Sequence, residues 1–443
     1  MNLPQPVLEC MQRLEAASFA TYAVGGCVRD WLLGCNPHDF DLCSAAKPEQ
    51  LQELFRDHTL VLAGLKHGTV GVVCHGGVVE ITTFRTEGDY TDLRHPGWVR
   101  FVSTIEEDLA RRDFTVNAMA YSPARGLVDP FGGAEDLKKG ILRAVGNPEQ
   151  RFREDSLRIL RGVRFAVRFH LEVEEKTKAA MLACAPLMEN LARERVFDEL
   201  CKMLPLVDAH ALSEYAPILA QVIPELESSI GFDQHSPHHC YDLFTHIAHV
   251  TADVPGDLVL RWAALLHDVG KVPTFTRGTD GRGHFYGHAK VGAKLADEIL
   301  LRLKAPTALR EQVVLLIGQH MTRLEPERKL LRRRVSQYGL ETVYQMLELQ
   351  EADMGSKGVE NSEELHAFRQ VRELLNAMEA ENACLTLKDL AVSGKDLIAM
   401  GYTPGKALGQ TLQYLLEQVV DEQLPNDREA LLEAAKAYQS TPL

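Results

Sequence analysis

The sequence lacks three features that would each have suggested a class of protein: paired cysteines, long apolar runs and an excess of positive charge. Its nine cysteines include no Cys-x-x-Cys pair, which argues against a disulfide scaffold or a cysteine-ligated zinc site and predicts reduced, packed thiols. No apolar run approaches the roughly 18 residues that a membrane helix needs. The first residues also lack the basic-then-apolar order of a signal peptide, so the sequence predicts a cytoplasmic protein with no membrane partner.

The chain carries a formal net charge of −14 at pH 7. Such a balance normally argues against a nucleic-acid partner, because neutralising phosphates supplies much of the affinity of nucleic-acid-binding proteins. A length of 443 residues, with 45% hydrophobic and 25% charged side chains, indicates a globular protein. Chains of this size divide into about two to four domains. Whether the chain binds nucleic acid therefore depends on how its positive charges are distributed locally.

Hydrophobic spacing predicts an α/β region followed by a helical one. The segment TYAVGG is typical of a buried strand, VRDWLLG of a helix, and GTVGVV and VVEITTF of two paired strands. The segment EEDLARRDFTVNAMAYS is predicted to be helical, and residues 86–104 to form a mobile polar loop. We expect an α/β head with a small mixed β-sheet at 1–148, an all-α neck at 149–205, a helical body at 206–375 and a helical tail at 376–443.

Two aspartates follow a glycine pair and an arginine in the stretch GGCVRDWLLGCNPHDFDL. On a strand, Asp39 and Asp41 would project from one face and attract a divalent cation, and Mg²⁺ prefers carboxylates combined with phosphate oxygens. The glycine pair, which includes Gly26, would let backbone amides approach those phosphates, and Arg29 could bind them. Glu80 is either a third carboxylate or a solvated strand residue. The stretch predicts either a charged loop or half of a phosphoryl-transfer site.

The string AVGGCVRDWLLG followed by HDFDL resembles the signature of the nucleotidyltransferases of the DNA polymerase beta superfamily. The resemblance is to class II, which contains tRNA nucleotidyltransferases and bacterial poly(A) polymerases. The segment EEDLARRDFTVNAMA resembles the second motif of that family. This resemblance implies that Arg112 contacts the nucleotide and that Asp113 helps to position the sugar. The alternative for this segment is a helix with a solvated charged face.

The segment RFREDSLRILRGVRFAVRF is predicted to be one helix, on which Asp155 and Arg158 share a face and Arg161 and Arg164 continue the row. Cytosine and adenine present an amine beside an unprotonated ring nitrogen, whereas uracil and guanine present a carbonyl beside a ring N–H. A carboxylate and a guanidinium would therefore admit CTP and ATP and reject UTP and GTP. The family resemblance implies the same roles, with Arg164 as a further contact. The alternative is a surface helix with one salt bridge and a basic stripe. Together with RKLLRRR at 328–334, that stripe could contact RNA.

A second group of residues has the composition of a metal site. His267 and Asp268 are adjacent in WAALLHDVGK, after an apolar helix. Imidazole and carboxylate ligands suit a transition metal that activates water for phosphoester hydrolysis. The other candidate ligands are His246, His288 and Asp353, with His320 as an additional one.

This ordered set resembles the HD phosphohydrolase domain. The resemblance implies that His246, His267, Asp268 and Asp353 bind a divalent transition metal of unknown identity. It also implies phosphatase or cyclic phosphodiesterase chemistry on nucleotides. An HD domain kept as an RNA-binding body is the alternative. The tail resembles segments that grip tRNA, or else it caps the preceding domain.

Taken over nearly the whole chain, the sequence resembles the bacterial class II CCA-adding tRNA nucleotidyltransferases that carry an HD domain. The resemblance implies template-independent addition of CCA to the 3′ end of tRNA from CTP and ATP, by a two-metal mechanism with Mg²⁺. The alternatives are an A-adding tRNA nucleotidyltransferase, a poly(A) polymerase, or an HD phosphohydrolase with a non-catalytic head. The residues implied in catalysis and magnesium binding are Asp39 and Asp41, those implied in binding the triphosphate are Gly26, Arg29 and Arg112, and those implied in choosing the base are Asp155, Arg158 and Arg161.

Overall fold

The computed structural model describes residues 1–37, 39–87, 99–237, 240–357 and 362–439. The chain forms two compact units. The first contains Met1–Val207 and Glu214–Pro224, and the second contains Asp208–Ser213 and Glu225–Leu443. Most of the loop predicted at 86–104 lies outside the described residues.

The first unit is built on a seven-stranded mixed sheet with the strand order β3-β4-β5-β2-β1-β8-β9. Strands β2 and β5 are parallel, and the other neighbours are antiparallel. The mixed sheet predicted for the head is therefore present. The strands of this unit are β1 (Thr21–Val24), β2 (Asp41–Ser44), β3 (Leu60–Val61), β4 (Thr69–Cys74), β5 (Gly77–Thr83), β6 (Arg85–Glu87), β7 (Val99–Phe101), β8 (Ala120–Ser122), β9 (Gly126–Val128), β10 (Ile141–Leu142) and β11 (Glu172–Val173).

Helices cover this sheet and continue beyond it. Tyr22 and Val24 of β1 and Cys43 of β2 pack in one buried cluster with Ile105 and Leu109, the apolar face of α4. Burying this face fixes the short helix against the sheet. The helices of this unit are α1 (Gln5–Ala16), α2 (Gly26–Leu32), α3 (Pro48–Leu54), α4 (Ile105–Ala110), α5 (Gly133–Lys139), α6 (Pro148–Glu154), α7 (Leu157–Phe169), α8 (Glu175–Cys184), α9 (Arg193–Met203) and α11 (Ala216–Val222). Helix α10 (Ala209–Glu214) belongs to the second unit except for its last residue.

The helix predicted over EEDLARRDFTVNAMAYS is wrong beyond its first turns, because α4 ends at Ala110 and β8 begins at Ala120. Between α4 and β8, backbone groups form hydrogen bonds with a distant segment of the chain instead of helical hydrogen bonds. The Thr115 amide donates to the Arg143 carbonyl at 2.9 Å, and the Val145 amide donates to the Asp113 carbonyl at 3.1 Å. Pairing with a distant segment thus overrides the local helical pattern.

The single helix predicted around Asp155 is also wrong. Helix α6 ends at Glu154 and α7 begins at Leu157, with Asp155 in an extended conformation between them. The Asp155 carboxylate accepts a hydrogen bond from the Leu157 amide at 3.1 Å. Aspartate bonds in this way to nearby backbone in non-helical conformations, which favours a break at this position.

The second unit is helical apart from one short antiparallel pair of strands. Among the described residues, no helix is long and apolar enough to cross a membrane. The elements of this unit are α12 (Leu243–Asp253), α13 (Leu258–Leu266), α14 (Lys271–Thr274), β12 (Thr276–Arg277), β13 (Gly283–His284), α15 (His288–Arg302), α16 (Thr307–Gln319), α17 (Arg328–Tyr338), α18 (Leu340–Gly355), α19 (Ser362–Ala380), α20 (Gly394–Ala399), α21 (Lys406–Val420) and α22 (Arg428–Gln439).

The basic segment RKLLRRR forms most of α17, where several of its charges are already paired within the second unit. Arg332 is buried and donates to the carbonyls of Val419 and Val420, both at 2.8 Å. Arg333 forms an ion pair with Asp421 at 2.6 Å. These contacts attach α17 to the end of α21, so the segment is less free to contact RNA than its composition suggests.

All nine cysteines are free thiols. Cys10 and Cys74 are buried with their sulfur atoms 3.8 Å apart, and burial is the main cause that raises the pKa of Cys10 to about 12. Cys35 and Cys240 are exposed, and Cys201 is half-buried. A thiol with a raised pKa remains protonated and weakly nucleophilic at neutral pH, so the buried cysteines act as packing groups.

Candidate active sites

The first unit contains a cavity of about 1040 Å³ beside the sheet. Positively charged side chains predominate on its lining, which suits a polyanionic ligand. All nine residues predicted for nucleotide and magnesium binding line this one cavity: Gly26, Arg29, Asp39, Asp41, Arg112, Asp155, Arg158, Arg161 and Arg164. Glu80 is exposed on β5 and is absent from the described lining.

The two aspartates lie where β2 begins. Asp41 is the first residue of the strand and is paired in register with Val24 of β1, and Asp39 comes just before the strand. Burial is the main cause that raises the pKa of Asp41, and the nearby charge of Asp39 raises it further, whereas Arg112 opposes both. A divalent cation would relieve this carboxylate repulsion, so the residues present fit Mg²⁺.

Gly25 provides space for an arginine. Its φ of +73° favours glycine, and a Cβ atom there would lie 2.7 Å from Nη1 of Arg112. The Gly25 amide donates to the Met119 carbonyl at 3.0 Å, so this N–H group is already hydrogen-bonded and does not face a phosphate. Gly26, the first residue of α2, lines the cavity. The prediction that backbone amides of the pair face phosphates is therefore restricted to Gly26.

Arg112 is held in place by long hydrogen bonds only. Nη1 donates to the Asn117 carbonyl and Nη2 to the Asp108 carboxylate, both at 3.4 Å. Its buried Nε has no hydrogen-bond partner among the described residues. This guanidinium therefore keeps donor capacity for an anion in the cavity.

Arg29, which is predicted to bind phosphate, also makes several contacts within the first unit. The residue is 5% exposed, and it donates to Asp30 at 2.8 Å and to the side chain of Asn117 at 2.5 Å. Its guanidinium also lies 4.2 Å from the centre of the Phe169 ring. A contact between Arg29 and phosphate would share these donors, so the residue also fixes the wall of the cavity.

Asp155 is held by an arginine that sequence reasoning missed. Nη2 of Arg195, on α9, donates to Oδ2 of Asp155 at 2.8 Å. Arg158 donates to the carboxylate of Glu154 at 2.8 Å and to the Arg111 carbonyl at 3.1 Å. Ionised carboxylate oxygens accept several hydrogen bonds, so Asp155 retains acceptor capacity beside the Arg158 guanidinium. Asp155 and Arg158 both line the cavity, and their part in base selection stays a prediction.

Two more ion pairs order the same wall. Nε of Arg161 donates to Asp113 at 2.8 Å, and Nε of Arg164 donates to Glu199 at 2.6 Å. Burial alone would raise the pKa of Asp113. The charge of Arg161 and the hydrogen bonds that the Asp113 carboxylate accepts outweigh burial and lower this pKa to about 2. Asp113 therefore remains charged and orients Arg161, a contact that its sequence neighbours did not indicate.

The second unit brings the six residues of the predicted metal site together. His246 lies in α12, whose first turn is capped by the Asp242 carboxylate. Gly270 permits the close approach of α15 to the His-Asp pair, since a Cβ atom there would lie 2.2 Å from the His288 carbonyl. The other four residues are His267 and Asp268 after α13, His320 after α16 and Asp353 in α18.

The tautomer of each histidine is set by a backbone carbonyl. The Nδ1 atoms of His267, His288 and His320 lie 2.7 Å, 2.8 Å and 2.7 Å from the carbonyls of Ala264, Phe285 and Ile317. Nδ1 of His246 lies 3.2 Å from the Ser356 carbonyl. A carbonyl only accepts, so each Nδ1 carries a proton. Burial lowers the pKa of His288 and of His320, so their Nε2 atoms present lone pairs, whereas the charge of Asp268 outweighs burial and raises the pKa of His267. Metal-binding histidines are oriented in the same way.

The carboxylates of this cluster are ionised. Burial opposes the charge of Asp268, but His267 and Lys271 hold its pKa well below its usual value, and Nζ of Lys271 lies 2.7 Å from Oδ2. Burial lowers the pKa of His320 to about 4, which keeps that imidazole neutral at neutral pH. Nε2 of His267 lies 3.1 Å from the same Oδ2 atom of Asp268. Neutral imidazole and ionised carboxylate are the forms that bind a cation.

A mixed sheet that presents two aspartates beside a group of arginines is the arrangement of a nucleotidyltransferase. The family model described as "Poly A polymerase head domain" matches residues 21–143. The model "Probable RNA and SrmB- binding site of polymerase A" matches residues 170–229, and a model of tRNA nucleotidyltransferase domain 2 matches residues 284–435.

Relatives extend this similarity over the whole chain. A CCA-adding enzyme of Leuconostoc mesenteroides is 32% identical over 99% of this chain and 98% of the relative. A CCA-adding enzyme of Streptococcus mutans is 34% identical over 97% of this chain and 96% of the relative. The crystal structure of the Bacillus stearothermophilus CCA-adding enzyme in complex with CTP covers 99% of both chains at 27% identity, with a TM-score of 0.72. The chain belongs to the family of CCA-adding enzymes.

Proposed function

We propose that the chain adds cytidine, cytidine and adenosine in turn to the 3′ end of tRNA, with CTP and ATP as donors and pyrophosphate as the product. The observation that carries this proposal is the convergence of all nine predicted residues on one cavity in the first unit. The family supports it, since the Bacillus stearothermophilus relative binds CTP.

Each group in the cavity has a proposed task. The 3′ hydroxyl of tRNA attacks the α-phosphate of the nucleotide, in line with the leaving pyrophosphate. Asp39 and Asp41 would hold Mg²⁺, which when bound offsets charge on the triphosphate and favours ionisation of the attacking hydroxyl. Arg112 donates to the triphosphate through the capacity left free by its long hydrogen bonds. The Gly26 amide and Arg29 complete the phosphate contacts.

Base selection is assigned to Asp155 and Arg158, with Arg161 beside them. The Asp155 carboxylate accepts from the exocyclic amine of cytosine or adenine, and an arginine donates to the ring nitrogen. Uracil and guanine would leave a carbonyl facing the carboxylate, which costs about 1–3 kcal/mol for an unsatisfied buried group. Arg195 and the Leu157 amide support the carboxylate. Arg164 is a further contact.

The test uses a tRNA transcript that lacks its terminal CCA, incubated with Mg²⁺ and single labelled nucleotides. We expect two CMP residues from CTP, then one AMP once ATP is added, and no addition from UTP or GTP. Addition of AMP only to a transcript that already ends in CC would select the A-adding alternative. Runs of AMP on unrelated RNA would select a poly(A) polymerase, and no addition at all would refute the proposal.

Four functional segments are proposed along the chain, as the sequence suggests: a head at 1–148, a neck at 149–205, a body at 206–375 and a tail at 376–443. The change of compact unit after Val207 supports the boundary between neck and body, and Glu214–Pro224 of the proposed body return to the first unit. The head-domain match at 21–143 supports the extent of the head.

A second function is proposed for the second unit, namely metal-dependent hydrolysis of phosphoesters on nucleotides or RNA ends. Four imidazoles oriented by backbone carbonyls at Nδ1, gathered around Asp268 and beside Asp353, favour this function. His246, His267, Asp268 and Asp353 would bind a divalent transition metal, which when bound activates water. Opening of nucleoside 2′,3′-cyclic phosphates to monophosphates, and release of phosphate from nucleoside 2′-monophosphates, both assayed before and after chelation, test it. Equal rates in both samples would refute it.

A further inference from the structure

We propose that Asp108 is a positioning residue of the nucleotide cavity, which holds Arg112 on the cavity wall and prevents it from pairing with Asp41. The inference rests on the nucleotide addition proposed above for the first unit, and it adds a residue that the sequence did not suggest. Asp108 is fully buried and is absent from the described lining of the cavity. It would therefore act on the nucleotide only through its neighbours.

The Asp108 carboxylate joins several elements beside the cavity. Its Oδ1 accepts hydrogen bonds from Nε and Nη2 of Arg111, at 3.1 Å and 3.0 Å, and from the Arg85 amide at 3.2 Å. Its Oδ2 accepts from Nη2 of Arg112 at 3.4 Å and from the Cys43 thiol at 3.7 Å. One buried carboxylate thus links α4 to the strands β2 and β6 and to both arginines.

The charge of Asp108 is stabilised by the arginines that it holds. Burial alone would raise its pKa, but the charges of Arg111 and Arg112 outweigh burial and lower this pKa. The carboxylate is therefore ionised at neutral pH. Among the described residues, Asp108 is the only acid with which Arg112 forms an ion pair. Removing one charge of such a buried pair leaves the other uncompensated, and it is then attracted to another opposite charge.

Asp41 is the carboxylate that Arg112 would approach without Asp108. Asp41 and Cys43 are two positions apart on β2, so their side chains lie on one face of the strand. Nη2 of Arg112 lies 3.7 Å from Sγ of Cys43, and its charge opposes the rise in the pKa of Asp41. The guanidinium therefore acts on Asp41, although the described residues show no ion pair between the two. An arginine paired with Asp41 would compete with Mg²⁺ for the carboxylate.

Direct measurement of Mn²⁺ binding tests the proposal without RNA or nucleotide. The full-length chain carries His267→Ala with Asp268→Ala, which disrupts the cluster of the second unit, and is stripped with a chelator before titration. Unbound Mn²⁺ is followed by electron paramagnetic resonance. Binding that is lost on adding Asp39→Ala with Asp41→Ala is assigned to these two aspartates. We expect Asp108→Asn to weaken that binding by about tenfold.

Two further variants separate positioning from loss of stability. Glu174→Gln is the matched control, because Glu174 also accepts from an arginine and a backbone amide, those of Arg143 at 3.1 Å and Thr177 at 2.8 Å, outside the described cavity lining. Its Mn²⁺ affinity should equal that of the parent protein. Asp108→Asn combined with Arg112→Ala should return the affinity to at least the parental value, because no guanidinium remains to compete with the cation.

Asp108→Ser, whose smaller side chain keeps an oxygen acceptor, is measured beside Asp108→Asn and should show the same loss. Unchanged Mn²⁺ affinity in a folded variant, equal loss in Glu174→Gln, or no recovery without Arg112 would overturn the proposal. A parent protein whose aspartates bind no Mn²⁺ would overturn it as well. A parent that binds Mn²⁺ at the aspartates but adds no nucleotide would refute only the proposed function, because Mn²⁺ affinity is measured independently of addition.

Discussion

At the scale of single residues, Gly25 shows how one missing side chain organises the nucleotide cavity. Its positive φ turns the chain from β1 into α2, and the absent Cβ leaves room for Nη1 of Arg112. Arg112 then lies beside Asp41, where its charge opposes the rise in the pKa of that carboxyl. The glycine thus acts mainly through an arginine 87 positions further along the chain.

Gly25→Ala should therefore impair catalysis beyond its effect on stability. The left-handed backbone costs about 1–2 kcal/mol for a residue with a Cβ, and the methyl group must also displace Arg112. We expect CMP incorporation to fall at least about tenfold, which corresponds to roughly 1.4 kcal/mol of lost transition-state stabilisation. Single-turnover addition to a tRNA transcript, together with thermal unfolding, measures both effects.

Gly34→Ala is the matched control. Gly34 has a φ of +76°, and a Cβ atom there would meet nothing within 4 Å. This variant should lose similar stability while adding CMP at close to the parental rate. Equal loss of addition in both variants would show that strain alone, and not Arg112, explains the effect.

At the scale of secondary-structure elements, the break between α6 and α7 determines the position of Asp155, the carboxylate proposed to recognise the base. Asp155 lies in the break. Arg195 of α9, which is 40 positions further along the chain, donates a hydrogen bond to its carboxylate. The residue types were predictable from the sequence, because a carboxylate and several arginines in one short segment suit the edges of cytosine and adenine. The break and the Arg195 contact were not, since both arise from packing between separate helices.

Arg195→Ala should loosen base selection. A hydrogen bond to a charged group contributes about 1.5–3 kcal/mol, and its loss leaves Asp155 free to move. We expect the preference for CTP over UTP to fall by about tenfold or more, with a smaller loss in the rate with CTP. Competition between CTP and UTP in single-nucleotide addition measures the ratio.

Arg193→Ala serves as the comparison on the same helix, because Arg193 donates to the Glu189 carbonyl on the surface. Its nucleotide preference should match that of the parent protein. Arg195→Lys should restore part of the preference, since an ammonium still reaches the carboxylate. An unchanged CTP:UTP ratio in Arg195→Ala would show that Asp155 does not depend on this contact.

At the scale of the whole molecule, each compact unit contains its own set of chemical groups. The cavity of the arginines and aspartates is lined entirely by residues of the first unit, and the histidine cluster belongs entirely to the second. The sequence predicted both sets, because acidic, basic and imidazole side chains recur in recognisable order. The prediction that RKLLRRR could contact RNA was made from composition alone. Composition does not reveal that residues of the tail, such as Asp421, form ion pairs with its arginines.

The two proposed activities should be separable by mutation. Asp39→Ala with Asp41→Ala should reduce nucleotide addition by at least about a thousandfold, because this variant loses the carboxylates proposed to bind Mg²⁺. Hydrolysis of nucleoside cyclic phosphates should persist in that variant. His267→Ala with Asp268→Ala should show the opposite pattern. Loss of both activities in either double variant, with unfolding temperatures unchanged, would mean that the sites are not independent.

The exposed cysteines provide one position for chemical labelling in each compact unit. Of the two exposed thiols, Cys35 belongs to the first unit and Cys240 to the second, whereas buried thiols such as Cys10 stay protonated. Maleimide dyes should therefore attach mainly at these two positions of the natural sequence, with half-buried Cys201 as the background to check.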